Sequence, residues 1–142
     1  MTGARTGYGS EFHLANENGV LQEMGELIEL EPGAEEWGTA EATHMKSPGK
    51  RVERITTLLD GGAGSFNLNW LPGSPTDQVV SEAHASGDIR DYKIVVPTNS
   101  GTWEITGSVL VLSRTPTIPL TDRMTCQVSL QFTGARDEEA GA

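Results

Sequence analysis

The chain has 142 residues, a net charge of −10 from 20 acidic and 10 basic side chains, and one cysteine. The length suits a single domain with its own core, the acidity argues against conventional nucleic-acid binding, and a lone cysteine excludes an internal disulfide. No run reaches the roughly 18 apolar residues of a membrane span, and residues 1–10 lack the apolar core of a signal peptide, so no membrane partner is expected.

Residues 1–25 are rich in Gly, Asn, Glu and Thr, and their four large aliphatic or Phe residues are Phe12, Leu14, Val20 and Leu21. This composition predicts a flexible N-terminal arm that buries little by itself. A folded domain is predicted over residues 26–134, and the polar tail 135–142 is predicted to be disordered.

Three short strands are predicted in the first part of the domain. They are residues 26–31, ended by Pro32-Gly33, then residues 37–44, and residues 52–59. The following DGGAG, residues 60–64, lacks the Lys-Ser/Thr ending of a phosphate loop and is interpreted as a hairpin turn that needs positive φ.

Residues 66–71 alternate apolar and polar side chains, which indicates a strand buried on one face. A helix then begins after Ser74 as N-cap, with Pro75 at its first position and Asp77 in a capping-box-like arrangement, and ends at Gly87. Its narrow apolar face is Val79, Val80 and Ala83.

Residues 92–97 and 102–115 predict a hairpin around residues 98–101, and residues 123–134 predict a strand with strict alternation. The apolar positions of that last strand are Met124, Cys126, Val128, Leu130 and Phe132. Frequent strands and one inserted helix predict a mainly β fold, an antiparallel β-sandwich or partly open barrel with one flanking α-helix.

The residue types that support catalysis are not grouped in this sequence. Cys126 shares the apolar register of its strand, which predicts a buried, inert thiol. His13, His44 and His84 have no second His or Cys at metal-ligand spacing. We therefore expect no catalytic residues, no metal site, no cofactor and no enzyme activity.

The three tryptophans could form a carbohydrate-binding platform. Trp70 and Trp103, however, lie in the apolar register of their strands and are predicted to be in the core, whereas Trp37 is left open.

Charge is unevenly distributed along the chain. Residues 1–45 hold nine acids and the single base Arg5, whereas residues 46–54, KSPGKRVER, hold four bases and one acid. The basic segment is either an ordinary solvated surface or a contact for the acidic surface of another copy.

Several segments together resemble the major tail protein, or tail-tube, family of lambda-like long-tailed phages. The resemblance covers about residues 26–134. It rests on SFNLNWLPG (65–73), Gln78, GDIRDYKIVVP (87–97), WEITGSV (103–109) and VSLQFTG (128–134), with THMKSPGKRVER (43–54) resembling the long loop of the family.

The resemblance implies a small β-sandwich with a flanking helix, six copies of which form a ring. Rings stack into the tail tube through which DNA leaves the capsid. The implied partners are other copies of the chain, a tape-measure protein, a tail terminator and tail-tip proteins, and DNA in transient passage. The implied location is the virion tail, assembled in the host bacterial cytoplasm.

Two surfaces are predicted on this basis. The loop Lys46, Ser47, Pro48, Gly49, Lys50 and Arg51 is predicted to contact acidic surface on the next ring, and Glu41, Glu53 and Glu104 are predicted to face the channel, where acids would repel phosphates. The alternatives are a tail terminator or tip-ring protein of the same fold, or a β-sandwich binding module that presents Trp37 and loops to a glycan or a protein.

Overall fold

The computed structural model describes residues 6–99 and 101–140. The first five residues of the predicted arm, Ser100 of the predicted turn and the last two residues of the predicted tail lie outside these ranges. Over the described ranges there are nine strands and one α-helix, namely β1 (Glu11–Ala15), β2 (Leu21–Glu23), β3 (Leu27–Glu31), β4 (Glu36–Glu41), β5 (Arg54–Asp60), β6 (Ala63–Asn69), α1 (Pro75–Ser86), β7 (Arg90–Thr98), β8 (Gly101–Thr117) and β9 (Thr125–Ala140).

Seven of these strands form one antiparallel sheet in the order β2-β1-β7-β8-β9-β6-β3, and β4 and β5 form a separate pair. The large sheet rolls over on itself, because the Phe12 ring of β1 lies 4.8 Å from the Phe66 ring of β6, although three strands separate β1 from β6 in the sheet order. The expected mainly β fold with one helix is confirmed, in the form of a partly open barrel.

The core lies on the inner face of this barrel and follows the alternation seen in the sequence. Phe66 and Leu68 of β6 face Val128, Leu130 and Phe132 of β9, all of them buried. Each of these two strands therefore contributes alternate side chains to the core and leaves the others on the outer face.

The thiol of Cys126 is buried, as predicted, and burial raises its pKa. The prediction for the tryptophans is only half right. Trp70 packs against the core, whereas Trp103 near the start of β8 is 39% exposed. Met124, placed in the strand by its spacing, precedes β9 and is 36% exposed.

Helix α1 has the boundaries that its end residues predict. The Ser74 side chain accepts a hydrogen bond from the Asp77 backbone N–H, Pro75 is the first helical residue, and Gly87 ends the helix in the left-handed conformation with φ 69°. The buried face of the helix is Val79, Val80 and Ala83, which pack into the core.

Asp77 connects this helix to the sheet. Its carboxylate accepts hydrogen bonds from Trp70 Nε1 at 3.1 Å, the Gly73 N–H at 3.1 Å and Arg114 Nη2 on β8 at 2.9 Å. Burial alone would raise the pKa of Asp77, but the hydrogen bonds from Arg114, Gly73 and Trp70 outweigh it, and the pKa is lowered from its ordinary value of 3.8.

We expect the Asp77→Asn variant to lose about 2 kcal/mol of folding free energy at neutral pH, because charge-assisted hydrogen bonds are replaced by neutral ones. Since the folded-state pKa lies below the unfolded value, the contribution of Asp77 is present above pH 3.8 and disappears as the pH falls through the folded-state pKa. Urea unfolding from neutral to acidic pH measures both effects. The exposed Asp88→Asn is the control, and equal losses in both variants would contradict the assignment.

The interpretation of residues 1–25 as a flexible arm is wrong for most of its described part. Strand β1 pairs with both β2 and β7, and its Phe12 and Leu14 are fully buried. The segment as a whole is rich in Gly and Asn, so its average composition does not reveal the five-residue strand β1, whose alternate side chains complete the core.

The prediction of a disordered tail is also wrong for residues 135–140, which extend β9. Asp137, Glu138 and Glu139 are in register with Thr106, Ile105 and Glu104 of β8. Backbone hydrogen bonds to the long β8 strand hold this polar segment without an apolar pattern in its side chains. The described strand ends at Ala140.

Candidate assembly surfaces

The β4–β5 pair is a continuation of the β3–β6 pair. Glu31 of β3 is in register with Ser65 of β6, and Glu36 of β4 is in register with Asp60 of β5. The same number of residues lies between Glu31 and Glu36 as between Asp60 and Ser65, so the register continues from one strand pair into the other. The two pairs form one long ribbon whose outer part, residues 36–60, leaves the barrel as a projecting hairpin. Residues 60–64 are therefore not the tip of a hairpin, as predicted, but the place where the ribbon leaves the sheet.

Glycines allow the ribbon to pass over β9 at this point. A Cβ at Gly33 would lie 2.6 Å from Phe132 Cδ2, and one at Gly64 would collide with both the Glu31 carbonyl oxygen and the Phe132 ring. Arg136 of β9 donates a 2.7 Å hydrogen bond to the Gly33 carbonyl oxygen. The base of the hairpin is thus packed and hydrogen-bonded to the barrel.

The projecting hairpin exposes large apolar side chains to solvent. Trp37 is in register with Leu59, and the two side chains lie on one face of the hairpin. Ile55 is in register with Ala40 and lies on the other face, because a bulge in β5 shifts the register between Leu59 and Thr56. The exposed fractions are 54% for Trp37 and 46% for Leu59. We call Trp37 and Leu59 the apolar hairpin face. Such a group of exposed large apolar side chains marks a contact surface.

The predicted contact loop lies at the far end of this hairpin. Pro48–Lys50 form a tight turn in which Gly49 and Lys50 both have positive φ, 65° and 58°. Lys46, Lys50 and Arg51 are exposed, and no salt bridge occupies them within residues 6–99 and 101–140. These cations are available for a partner.

Glu53 is bound inside the same loop. Its Oε2 accepts a 2.9 Å hydrogen bond from the Ser47 hydroxyl and lies 3.4 Å from His44 Nε2, while its backbone N–H donates to Thr43 Oγ1 at 2.9 Å. This network orders the loop and gives Glu53 a local role that the charge pattern did not predict.

The structure does not bring the three predicted channel acids together. Glu41 is in register with Arg54, the residue that follows Glu53, at the loop end of the hairpin. Glu104 lies in the middle of the barrel sheet, where its Oε1 is 3.4 Å from Lys93 Nζ on β7. The prediction that these acids face the channel therefore applies to two separate surfaces, the hairpin with Glu41 and Glu53 and the barrel sheet with Glu104.

The outer face of β6, β8 and β9 is a polar surface without cations. In the described part of the chain these strands carry two basic residues, Arg114 and Arg136, and both lie at inward positions. Arg114 is in register with the buried Val128, and Arg136 is next to Asp137, which points outward. The outward positions form what we call the polar sheet face, which is Ser65, Asn67, Asn69, Ser108, Ser113, Thr115, Thr125, Gln127, Ser129, Gln131 and Thr133, interrupted by Leu110.

This polar sheet face becomes acidic toward one end. Glu104 is in register with Glu139, and Thr106 with Asp137, so all three acids point outward beside each other. Sequence reasoning identified Glu104 but missed Asp137 and Glu139, because the tail was predicted to be disordered. The alternation of Ser, Thr and Gln through residues 125–133 was the signal that pointed to this face.

Neither a membrane helix nor a metal cluster stands out in the described residues. No helix among them is long and apolar enough to cross a bilayer, and no three His, Cys, Asp or Glu side chains there are grouped to hold a metal ion.

Comparison with known proteins gives one family and several related folds. The family model described as "Lambda phage tail tube protein, TTP" matches residues 5–139, and no curated protein matches the chain.

The solved structures that are similar come from several tail-like particles. The tail of an empty gene transfer agent particle with C6 symmetry has a TM-score of 0.75 at 13% identity, over 96% of this chain and 100% of that one. The SPP1 tail tube has a TM-score of 0.65 at 11% identity, over 93% and 77%. The tube-terminating cap of the anti-feeding prophage has a TM-score of 0.63 at 10% identity, over 92% and 88%. At these identities the similarity is one of fold.

Proposed function

Because the chain belongs to the lambda phage tail tube protein family, it is a structural subunit of a tail tube, and we propose that it assembles into stacked hexameric rings whose central channel passes DNA. The family also places the protein in the virion tail. The C6 symmetry of the similar gene transfer agent tail supports six subunits in each ring.

The observation that carries this proposal is the projecting hairpin. Its apolar face is solvent-exposed in the single chain, and the hairpin is too far along the ribbon to be covered by the barrel that it leaves. A neighbour that covers Trp37 and Leu59 would remove this apolar surface from water. A contact between different surfaces of identical copies can close into rings or continue along an axis, as a stacked tube requires.

The polar sheet face is the surface that we assign to the channel. Its three strands present outward hydroxyl and amide groups and no outward cation. At the acidic end Glu104 is paired with Lys93 of the adjacent strand β7, and Asp137 and Glu139 supply the charge that repels phosphates. DNA can therefore slide past this face. That Glu41 and Glu53 also face the channel stays a prediction, and it requires the loop end of the hairpin to reach the channel wall.

The remaining partners belong to the proposal as well. A tube of this kind needs a tape-measure protein in its channel, a terminator at one end and tip proteins at the other, and assembly takes place in the host bacterial cytoplasm. The similarity to a tube-terminating cap supports a terminator of related fold. No cofactor or catalytic step is part of the proposed function.

Negative-stain microscopy of the purified protein tests the proposal. We expect concentration-dependent rings or tubes with sixfold symmetry, and a cryo-electron map with Ser129 and Gln131 on the channel wall. A protein that stays monomeric at all concentrations would contradict the tube, and a map with the polar sheet face on the outer wall would contradict the channel assignment alone.

We expect the double variant Lys50→Glu, Arg51→Glu to raise the protein concentration needed for tube growth about tenfold at low salt, since it replaces attraction to an acidic neighbour with repulsion. Light scattering against concentration measures the effect, which should shrink as salt rises. Arg123→Glu, an exposed cation before β9, is the matched control. Normal growth of the double variant would contradict an electrostatic role for the loop.

A further inference from the structure

The projecting hairpin leaves the barrel through a corner at which strand pairing is interrupted on one side. Pairing of the outgoing strand stops at Glu31 and resumes at Glu36, so residues 32–35 lie outside the strands. The return strand differs, because residues 63 and 64 pair with β9 across the same gap. Backbone pairing therefore fixes the return side of the corner, whereas the outgoing side needs another attachment to the barrel.

Arg136 of β9 supplies this attachment. Its Nη1 donates a 2.7 Å hydrogen bond to the Gly33 carbonyl oxygen, and its Nε lies 3.6 Å from Glu35 Oε1. Gly33 also packs on the Phe132 ring, but apolar packing is non-directional, whereas charge-assisted hydrogen bonds have a preferred geometry. One largely buried guanidinium thus contacts the outgoing segment at two points and defines the angle at which that segment crosses β9.

Arg136 belongs to an irregular part of β9. Between Thr133 and Asp137, three residues of β9 lie opposite a single residue of β8, Gly107. Gly134 within this bulge has φ 74°, in the left-handed region that favours glycine. A bulge bends the strand that carries it and re-aims its side chains. The bulge therefore accounts for a β9 side chain that contacts the corner of the ribbon.

We propose that Arg136 is a latch that fixes the direction of the projecting hairpin in the unassembled chain. Without its two contacts, the outgoing segment would bend more freely at Gly33, because glycine adopts more backbone conformations than any other residue. The inference goes beyond the proposed function, since it concerns a single chain before any neighbour binds.

The latch also has a consequence for assembly, and this consequence rests on the proposed function. A hairpin that already has one direction loses less conformational entropy when a neighbour binds it. Arg136→Met removes both contacts and keeps an apolar stem of similar length, so it should raise the concentration for tube growth about tenfold. The exposed Arg123→Met is the matched control and should leave that concentration unchanged.

A distance between two spin labels measures the latch directly, at a protein concentration below that of tube growth. One label is attached at Thr57→Cys in the hairpin and the other at Ala85→Cys in α1, both exposed positions, while the native Cys126 is buried. The barrel and helix carry the second label, so the width of the distance distribution reports the range of directions of the hairpin.

Arg136→Met should broaden this distribution at least about twofold, and Arg123→Met should not change it. Arg136→Lys keeps a cation and a donor for the Gly33 carbonyl oxygen but loses the fork of the guanidinium, so it should restore about half of the narrowing. Glu35→Gln removes only the ion pair and should broaden the distribution by a smaller amount. This milder variant keeps the test valid if Arg136→Met does not fold.

Thermal unfolding separates a latch from a contact that only stabilises the fold. A lower unfolding midpoint of Arg136→Met together with an unchanged distance distribution would overturn the latch, as would unchanged distributions in both Arg136→Met and Glu35→Gln. A broadened distribution with tube growth at the wild-type concentration would overturn its role in assembly. A wild-type protein that forms neither rings nor tubes would overturn the proposed function and leave the distance measurement as the test of the latch.

Discussion

The double variant Trp37→Asp, Leu59→Asp is expected to remain folded and to form no tubes at concentrations at which the wild type assembles. Both side chains lie on the apolar hairpin face and are about half exposed in the single chain, so the fold does not depend on burying them. Loss of their burial against a neighbour, together with two new charges, costs about 4 kcal/mol per contact, which raises the assembly concentration about a thousandfold.

The control for this prediction is Thr57→Asp on β5. Thr57 lies on the opposite face of the hairpin, because a Cβ at Gly38 would be 2.6 Å from its Oγ1. Thermal unfolding should give the same midpoint for the wild type and both variants, while sedimentation velocity or microscopy separates assembled from unassembled protein. Tubes from the double variant at wild-type concentration would show that the apolar hairpin face is not a subunit contact.

The largest expected effect on folding comes from Gly62→Ala. Gly62 has φ 77°, and a Cβ there would collide with the backbone carbonyl oxygen of Ala34 in the segment that joins β3 to β4. The Gly62 carbonyl oxygen also accepts hydrogen bonds from the Phe132 N–H and the Gln131 side chain, so the backbone cannot shift without breaking them. We expect a loss of at least about 3 kcal/mol in the free energy of unfolding.

Gly73→Ala separates the two causes, because Gly73 has the same φ of 77° with nothing within 4 Å of the added Cβ. It should lose about 1 kcal/mol, the cost of a left-handed alanine alone. Urea unfolding of both variants measures the difference. Equal losses would mean that the corner at the base of the hairpin is loosely packed, and that its glycine serves only the turn.

Local patterns were sufficient where a structural element is determined by its own residues. Ser74, Pro75 and Gly87 define helix α1 because capping and left-handed termination act within one or two turns. The alternation around Phe66 and Val128 marks two core strands, since successive side chains of a strand point to opposite faces.

Long-range pairing explains the two segments that were misjudged. Residues 11–15 are ordered because Phe12 contacts Ile94 and Phe66 of strands that are distant in sequence. Residues 135–140 are ordered because their backbone pairs with that of β8. Composition averaged over an arm or a tail contains neither partner, so it predicted mobility for both segments.

The assembly surfaces divide in the same way. The sequence by itself determined the mainly β class, the single helix, the basic loop at residues 46–51 and the family to which the chain belongs. Only the tertiary structure decided that Glu53 is held within its loop by Ser47, that Trp37 and Leu59 share one exposed face, and that Glu104 lies beside Glu139. The reason is physical: propensity and alternation act between neighbours in the chain, whereas a surface is assembled by the register of strands that are distant in sequence.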